Sequence, residues 1–171
     1  MREVVCFSAA LQINNLRWAL CTQGELVLNL KGKLLLVIAS GITTFTAIAH
    51  LSCLYFGPKC YEFQLAPNEL VQSAIDGTWL APIGNIFISS LFLLCACYAL
   101  SGAGIIRKFP FLKLGINTIA TICILRGIII LPLSLIYPER TTTFSVIAGA
   151  TWFVTGLLFY YGNRYALRAS T

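Results

Sequence analysis

The sequence predicts an all-α membrane protein: a four-transmembrane-helix bundle with both termini cytoplasmic and a short interfacial helix in the first outer loop. Three observations carry this reading. Hydrophobic residues make up 58% of the 171 positions and charged residues 11%, whereas a soluble domain of this size carries about 25% charged residues to solvate its surface. The few charges are clustered. Residues 34–56, 80–106 and 141–163 contain no Asp, Glu, Lys or Arg, and residues 114–136 contain one, Arg126. Each stretch reaches the ~20 helical residues that cross a ~30 Å hydrocarbon layer, and at that length a helix satisfies its own backbone in lipid. The spans fall at about 34–56, 80–106, 113–136 and 144–162.

The third observation is where the basic residues lie. Lys31 and Lys33 precede the first span, Arg107, Lys108 and Lys113 fill the second connection, and Arg164 and Arg168 follow the last span. The first and third connections hold only Lys59 and Arg140, together with Glu62, Glu69, Asp76 and Glu139. Basic loops stay inside, so this asymmetry places both termini in the cytoplasm; the expected location is a cell inner (plasma) membrane. The net charge of +6 is explained by these topology determinants and calls for no nucleic acid; the lipid bilayer is the partner it implies.

Residues 1–30 differ from the rest. The apolar run Val4–Leu11 is too short to span and is interrupted by Gln12, Asn14 and Asn15; it also lacks the layout of a signal peptide. The segment reads as a loose cytoplasmic leader and as a candidate start-site artefact, with residues 31–171 forming the four-span domain. In the first outer connection, Gly57 and Pro58 terminate the first helix, and Pro67 and Asn68 mark a helix start. Leu70, Val71, Ala74 and Ile75 give that helix an apolar side, Gly77 is its stop, and Trp79 is placed as a headgroup-level anchor. The other connections are short, so successive spans are expected to be antiparallel neighbours.

Of the seven cysteines, Cys6 and Cys21 fall in the leader and Cys95, Cys97 and Cys123 inside spans. Cys53 and Cys60 alone lie near the outer face, where a disulfide between them is an open expectation. Small and polar residues recur at helical spacing on three spans: Ala39, Thr43, Thr46, His50 and Cys53; Cys95, Ala99 and Ala103; Ser145, Gly149, Trp152 and Gly156. Helices in lipid associate through such small residues and hydrogen bonds, so these are the expected inward faces.

Arg126 is the most informative position. It lies roughly 20 Å along the third span from the cytoplasmic end, in the outer half of the membrane. An Arg at a helix centre costs about 2.5–3.5 kcal/mol to insert, so it requires a partner, a cavity or the interface. One reading has it snorkel or cap a carbonyl freed by Pro132; the other has it bind an anionic group, such as a lipid headgroup, a quinone oxygen or a transported anion. His50, the single histidine, lies at comparable depth on the first span, either hydrogen-bonded as structure or handling a proton. Glu62 and Asp76 lie in the loop above, with Asp76 the favoured counter-ion. Together His50, Arg126 and one carboxylate outline a ligand-binding polar pocket open to the outer side.

Other chemistry finds no footing. The Ser101-Gly102-Ala103-Gly104 run lacks the Lys-Ser/Thr of a phosphate loop, one histidine makes no zinc signature, and Cys95 and Cys97 point about 200° apart on a helix. No metal and no cofactor is expected. The stretch Tyr98-Ala-Leu-Ser-Gly-Ala-Gly-Ile-Ile-Arg107-Lys-Phe-Pro110, with Leu125-Arg126-Gly127 and the Gly77-Thr-Trp79 element, resembles a group of uncharacterised bacterial four-span inner-membrane proteins. The resemblance covers most of residues 33–136; it implies bacterial origin and this topology, and brings no activity.

Three function classes follow. The first is a small non-catalytic accessory protein that binds a ligand or partner, which suits the short chain, the scarcity of ionisable groups and the single pocket. The second is a subunit of a small homodimeric transporter or exporter of an anion; for either class an anionic lipid or small anion is the candidate partner. Four-span multidrug exporters use an intramembrane Glu in the first span, which this chain lacks. The third, a thiol–quinone redox enzyme, needs a CxxC motif and a second outer cysteine pair, neither of which is present. A homodimer or another membrane-protein partner fits the first two.

Overall fold

The computed structural model describes residues 2–136 and 142–168; for residues 2–25, 131, 135 and 167–168 it describes the backbone alone. The described residues form six helices: α1 (Arg2–Phe56), α2 (Pro58–Phe63), α3 (Asn68–Ile75), α4 (Leu80–Gly102), α5 (Leu112–Ile136) and α6 (Thr143–Arg168). Four stretches are long and apolar enough to cross a membrane, Leu26–Phe56, Leu80–Gly102, Leu112–Ser134 and Thr143–Ala166. The described residues are therefore those of an all-helical membrane protein. α2 and α3 cap one end of the bundle, here the loop end, and Arg107 and Lys108 mark the other, the basic end.

α1 is central. It packs along both α4 and α6, and α5 packs along α6. Burial of apolar surface gains little between lipid-exposed helices, so close approach decides these pairings. On α5 and α6, Gly127 lies against Phe153, and Gly156 lies against Ile124 and the carbonyl of Ala120. Gly32 of α1 faces the α6 backbone at Gly162 and Ala166 in the same way. The core nearest the basic end gathers Leu36, Ala39, Ala99, Ala103, Ile116, Ala120 and Phe159, so Ala39, Ala99 and Ala103 face inward as the spacing predicts. A second cluster at the loop end joins Cys53, Tyr61 and Ala81, with Val71 and Ala74 against it.

Several boundaries differ from the sequence reading. The second span, expected to reach residue 106, ends at Gly102. Ser101 donates to the carbonyl of Arg107 and accepts from the amide of Phe109, both at 2.9 Å, which folds the connection back on the helix end. Gly104 supplies the left-handed residue that this stop requires, at φ +75°. The backbone of the leader, expected to be loose, is helical and continuous with the first span; no proline interrupts residues 2–56. The helix α3 forms where Pro67 and Asn68 predict it, but most of its apolar side lies against protein: Leu70 touches Gly84, and Val71 and Ala74 pack on the loop-end cluster. The shorter α2 has no counterpart in the sequence reading. Glu139 and Arg140, counted in the third connection, lie outside the described residues.

Candidate functional site: a cleft between α4 and α5

The order of packing leaves α4 and α5 on opposite flanks of α1 and α6. The two flanking helices meet near the basic end, where the Tyr98 ring lies on Gly115 and Ile116 lies on Gly102. Above that point they part around a cavity of about 820 Å³, whose lining reaches down to Leu114 and Phe111 beside the contact, within the range of small-molecule sites. Its back wall is Thr43 and His50 of α1 with Trp152 of α6; its sides include Ile88, Leu91 and Phe92 of α4 and Ile119, Ile122 and Arg126 of α5. Residues 64–67 and Leu70 close it at the loop end.

Of the four candidate ligand-binding residues, the structure brings two together. His50 and Arg126 line the same cavity. Arg126 is exposed within it and has neither a hydrogen bond nor an ion pair among the described residues. It lies fourteen residues beyond Leu112 and eight before Ser134 on α5, ~21 Å and ~12 Å along the helix. It does not cap a carbonyl near Pro132. Glu62 and Asp76 do not line the cavity. Asp76 is the C-cap of α3 and accepts from the side-chain amide of Gln72 at 2.9 Å; Glu62 points outward from α2 and is exposed. The carboxylate expected beside Arg126 is thus absent from the site, because α3 turns its polar side away from the bundle as its apolar side docks.

Polar groups that the sequence reading passed over take that place. Asn85 is buried on α4, and its amide donates to the backbone carbonyl of His50 at 2.7 Å and to the Tyr61 hydroxyl at 3.3 Å. Gln64 donates to the carbonyl of Ala49 at 2.7 Å, tying the roof to α1. Tyr61, Gln64 and Asn85 all line the cavity. A ladder of stacked rings runs behind them: His50 on Phe92 at 5.3 Å, and Phe92 on Trp152 at 5.1 Å. It locks α1, α4 and α6 together at the depth of Arg126 and fixes the His50 ring in a face-on contact. Asn85 could have been found as a lone amide in an uncharged span; the ladder could not, since its members come from three helices.

The roof is anchored twice more. Cys53 of α1 and Cys60 of α2 are joined as a disulfide. Ser73 of α3 accepts the amide of Ala81 at 2.9 Å and so satisfies one of the first N–H groups of α4, which no side chain of its own caps. Cys95 and Cys123 face the cavity as free thiols, and no group of three metal-binding side chains occurs among the described residues. Among the described residues, what the arrangement offers chemically is one cation without an ion-pair partner in a largely apolar cleft, with amide and phenol groups at the roofed end. The chain matches no protein-family model, no curated protein and no solved structure.

Proposed function

We propose that this protein is a small non-catalytic membrane protein that binds an anionic ligand in the α4–α5 cleft through Arg126. The observation that carries this is the unpaired guanidinium. A cation within a membrane-spanning helix is costly unless a counter-charge, a cavity or the interface relieves it. Among the described residues the loop carboxylates Glu62 and Asp76 lie outside the cleft, and in this reading a ligand supplies the counter-charge. An Arg fork suits a carboxylate or phosphate, to which it donates two parallel hydrogen bonds. Away from the amide and phenol groups near the roof most of the cleft wall is apolar, so the ligand is one that partitions into the bilayer.

The basic end faces the cytoplasm in this reading, following the distribution of Lys and Arg, and the roofed end of the cleft faces outward. The exposed Trp79 ring sits beside the start of α4, where an indole anchors at the headgroup level. Among the described residues no carboxylate lines the cleft, and His50 is held by ring stacking. That favours binding over turnover. Native mass spectrometry of the protein in mild detergent, wild type beside Arg126→Leu, tests the proposal. An anionic species carried by the wild type and lost from the variant is the expected result. Identical spectra from the two proteins, with no adduct on either, would return Arg126 to a structural role.

A further inference from the structure

Below Arg126 the cleft continues toward the basic end as an apolar slot. Ile122, Ile119 and Thr118 line it from α5, and Leu91, Leu94 and Tyr98 from α4; among the described residues Arg126 alone brings a Lys, Arg, Asp or Glu side chain to the cavity. On α5 and its approach the lining continues past Gly115 to Leu114 and Phe111, and on α4 it stops at Tyr98. There the ring lies on Gly115, so close that a Cβ on residue 115 would collide with it, and its edge is held by Phe109 at 5.3 Å. Gly115 is eleven residues from Arg126, ~16 Å along the helix. That is about half of a ~30 Å hydrocarbon layer, a length that an extended chain of intermediate length fills.

The other end of the cleft limits the head. Residues 64–67 and Leu70 cover it, and this roof is held by the Gln64 bond to Ala49 and by the Cys53–Cys60 disulfide. Arg126 sits ~12 Å below the last residue of its span, beneath that cover. A group paired with it has little room to extend outward, which favours a carboxylate or a phosphate monoester over a bulky esterified headgroup.

Resting on the anionic-ligand reading of Arg126, we infer that the cleft takes a single-chain amphiphile with a compact anionic head, and that Tyr98 seated on Gly115 sets the longest chain admitted. The head pairs with Arg126 and the chain runs down the slot to the Tyr98 ring. Chains that overrun the floor must displace a packed ring, and overpacking of that kind weakens binding roughly tenfold or more.

The test is displacement of a fluorescent fatty acid from the full chain in phosphatidylcholine nanodiscs by a ladder of saturated acids, decanoate to stearate. Dodecyl phosphate and a didodecanoyl phosphatidylglycerol are run beside them. The wild type is expected to bind an intermediate acid best and stearate at least tenfold more weakly. Tyr98→Ala should move the preference toward stearate. Leu91→Trp, which fills the slot part-way without touching the floor, should move it toward decanoate and keeps the test open should Tyr98→Ala misfold. Dodecanoate against dodecyl phosphate distinguishes the two head chemistries, and either binding well supports a compact anionic head. Displacement without length preference, length profiles unchanged in both variants, or phosphatidylglycerol binding as well as dodecanoate overturns this inference alone. No displacement from the wild type by any of these anions overturns the anionic-ligand reading as well.

Discussion

The side-chain amide of Asn85 donates to the backbone carbonyl of His50 at 2.7 Å, linking the second membrane-spanning helix to the first at the level of the cleft. The same amide reaches the Tyr61 hydroxyl of α2, so one buried side chain ties two long helices to the loop above them. Hydrogen bonds between helices in lipid average about 0.6 kcal/mol and reach about 1.7 kcal/mol. Asn85→Leu is expected to destabilise the protein by about 1 kcal/mol, read as a lowered thermal midpoint in detergent. An unchanged midpoint would mean that ring stacking alone holds His50.

The α5–α6 seam should be intolerant of a single methyl group. A Cβ at Gly156 would lie 2.8 Å from the amide nitrogen of Ile124 and 2.9 Å from the carbonyl oxygen of Ala120, both backbone atoms that cannot rotate away. Gly156→Ala should therefore cost about 1–3 kcal/mol. Gly41, also helical, has nothing within 4 Å of such a Cβ, and Gly41→Ala should be neutral or slightly stabilising through helix propensity. Equal midpoints for the two variants would show that α5 and α6 do not pack this closely.

Peptide mapping without reductant should recover Cys53 and Cys60 in one linked fragment, while Cys95, Cys97 and Cys123 alkylate once the protein is unfolded. The loop closed by this bond is short, with a sequence separation of 7, so its chain-entropy contribution is about 2–3 kcal/mol. Cys53→Ser with Cys60→Ser should lower the thermal midpoint correspondingly and loosen the roof of the cleft. Free Cys53 and Cys60 in freshly isolated protein would remove that anchor from the account.

The proposed orientation is checked by labelling. In a background lacking reactive native cysteines, Lys108→Cys should resist a membrane-impermeant maleimide in intact cells, and Asp76→Cys should react with it. Both side chains are exposed, so failure to label reports sidedness rather than burial. The reverse pattern would invert the bundle and place the roof of the cleft in the cytoplasm.

Much of the fold was legible because lipid leaves a chain few options. Uncharged stretches long enough to span are visible in one dimension, and so are the small-residue stripes: Ala39, Ala99 and Ala103 sit in the core their spacing implied. Arg126 stood out for the same reason, as a lone charge in an apolar run. The neighbours of each helix were not legible. Short connections suggested sequential antiparallel neighbours, yet α4 and α5, consecutive spans joined by a short connection, part to form the cleft, while α1 packs with α6 from the far end of the chain. The counter-ion was misjudged on related grounds. Asp76 lies close to the second span in sequence, but the docking of α3 through Val71 and Ala74 turns it outward to Gln72. Side-chain direction on a short amphipathic helix depends on which face finds a partner, and that partner was the loop-end cluster built by Cys53, Tyr61 and Ala81.

The central claim is that Arg126 pairs with a negative charge on a ligand held in the α4–α5 cleft. It is tested most directly by comparing a long-chain carboxylate with its neutral methyl ester, which has the same chain, on wild type, Arg126→Lys and Arg126→Leu in nanodiscs. Charge-assisted hydrogen bonds contribute about 1.5–3 kcal/mol, so the wild type should prefer the acid by roughly tenfold or more. Lysine should retain part of that preference and leucine none. Equal binding of acid and ester by the wild type, or an acid preference that survives in Arg126→Leu, would contradict it.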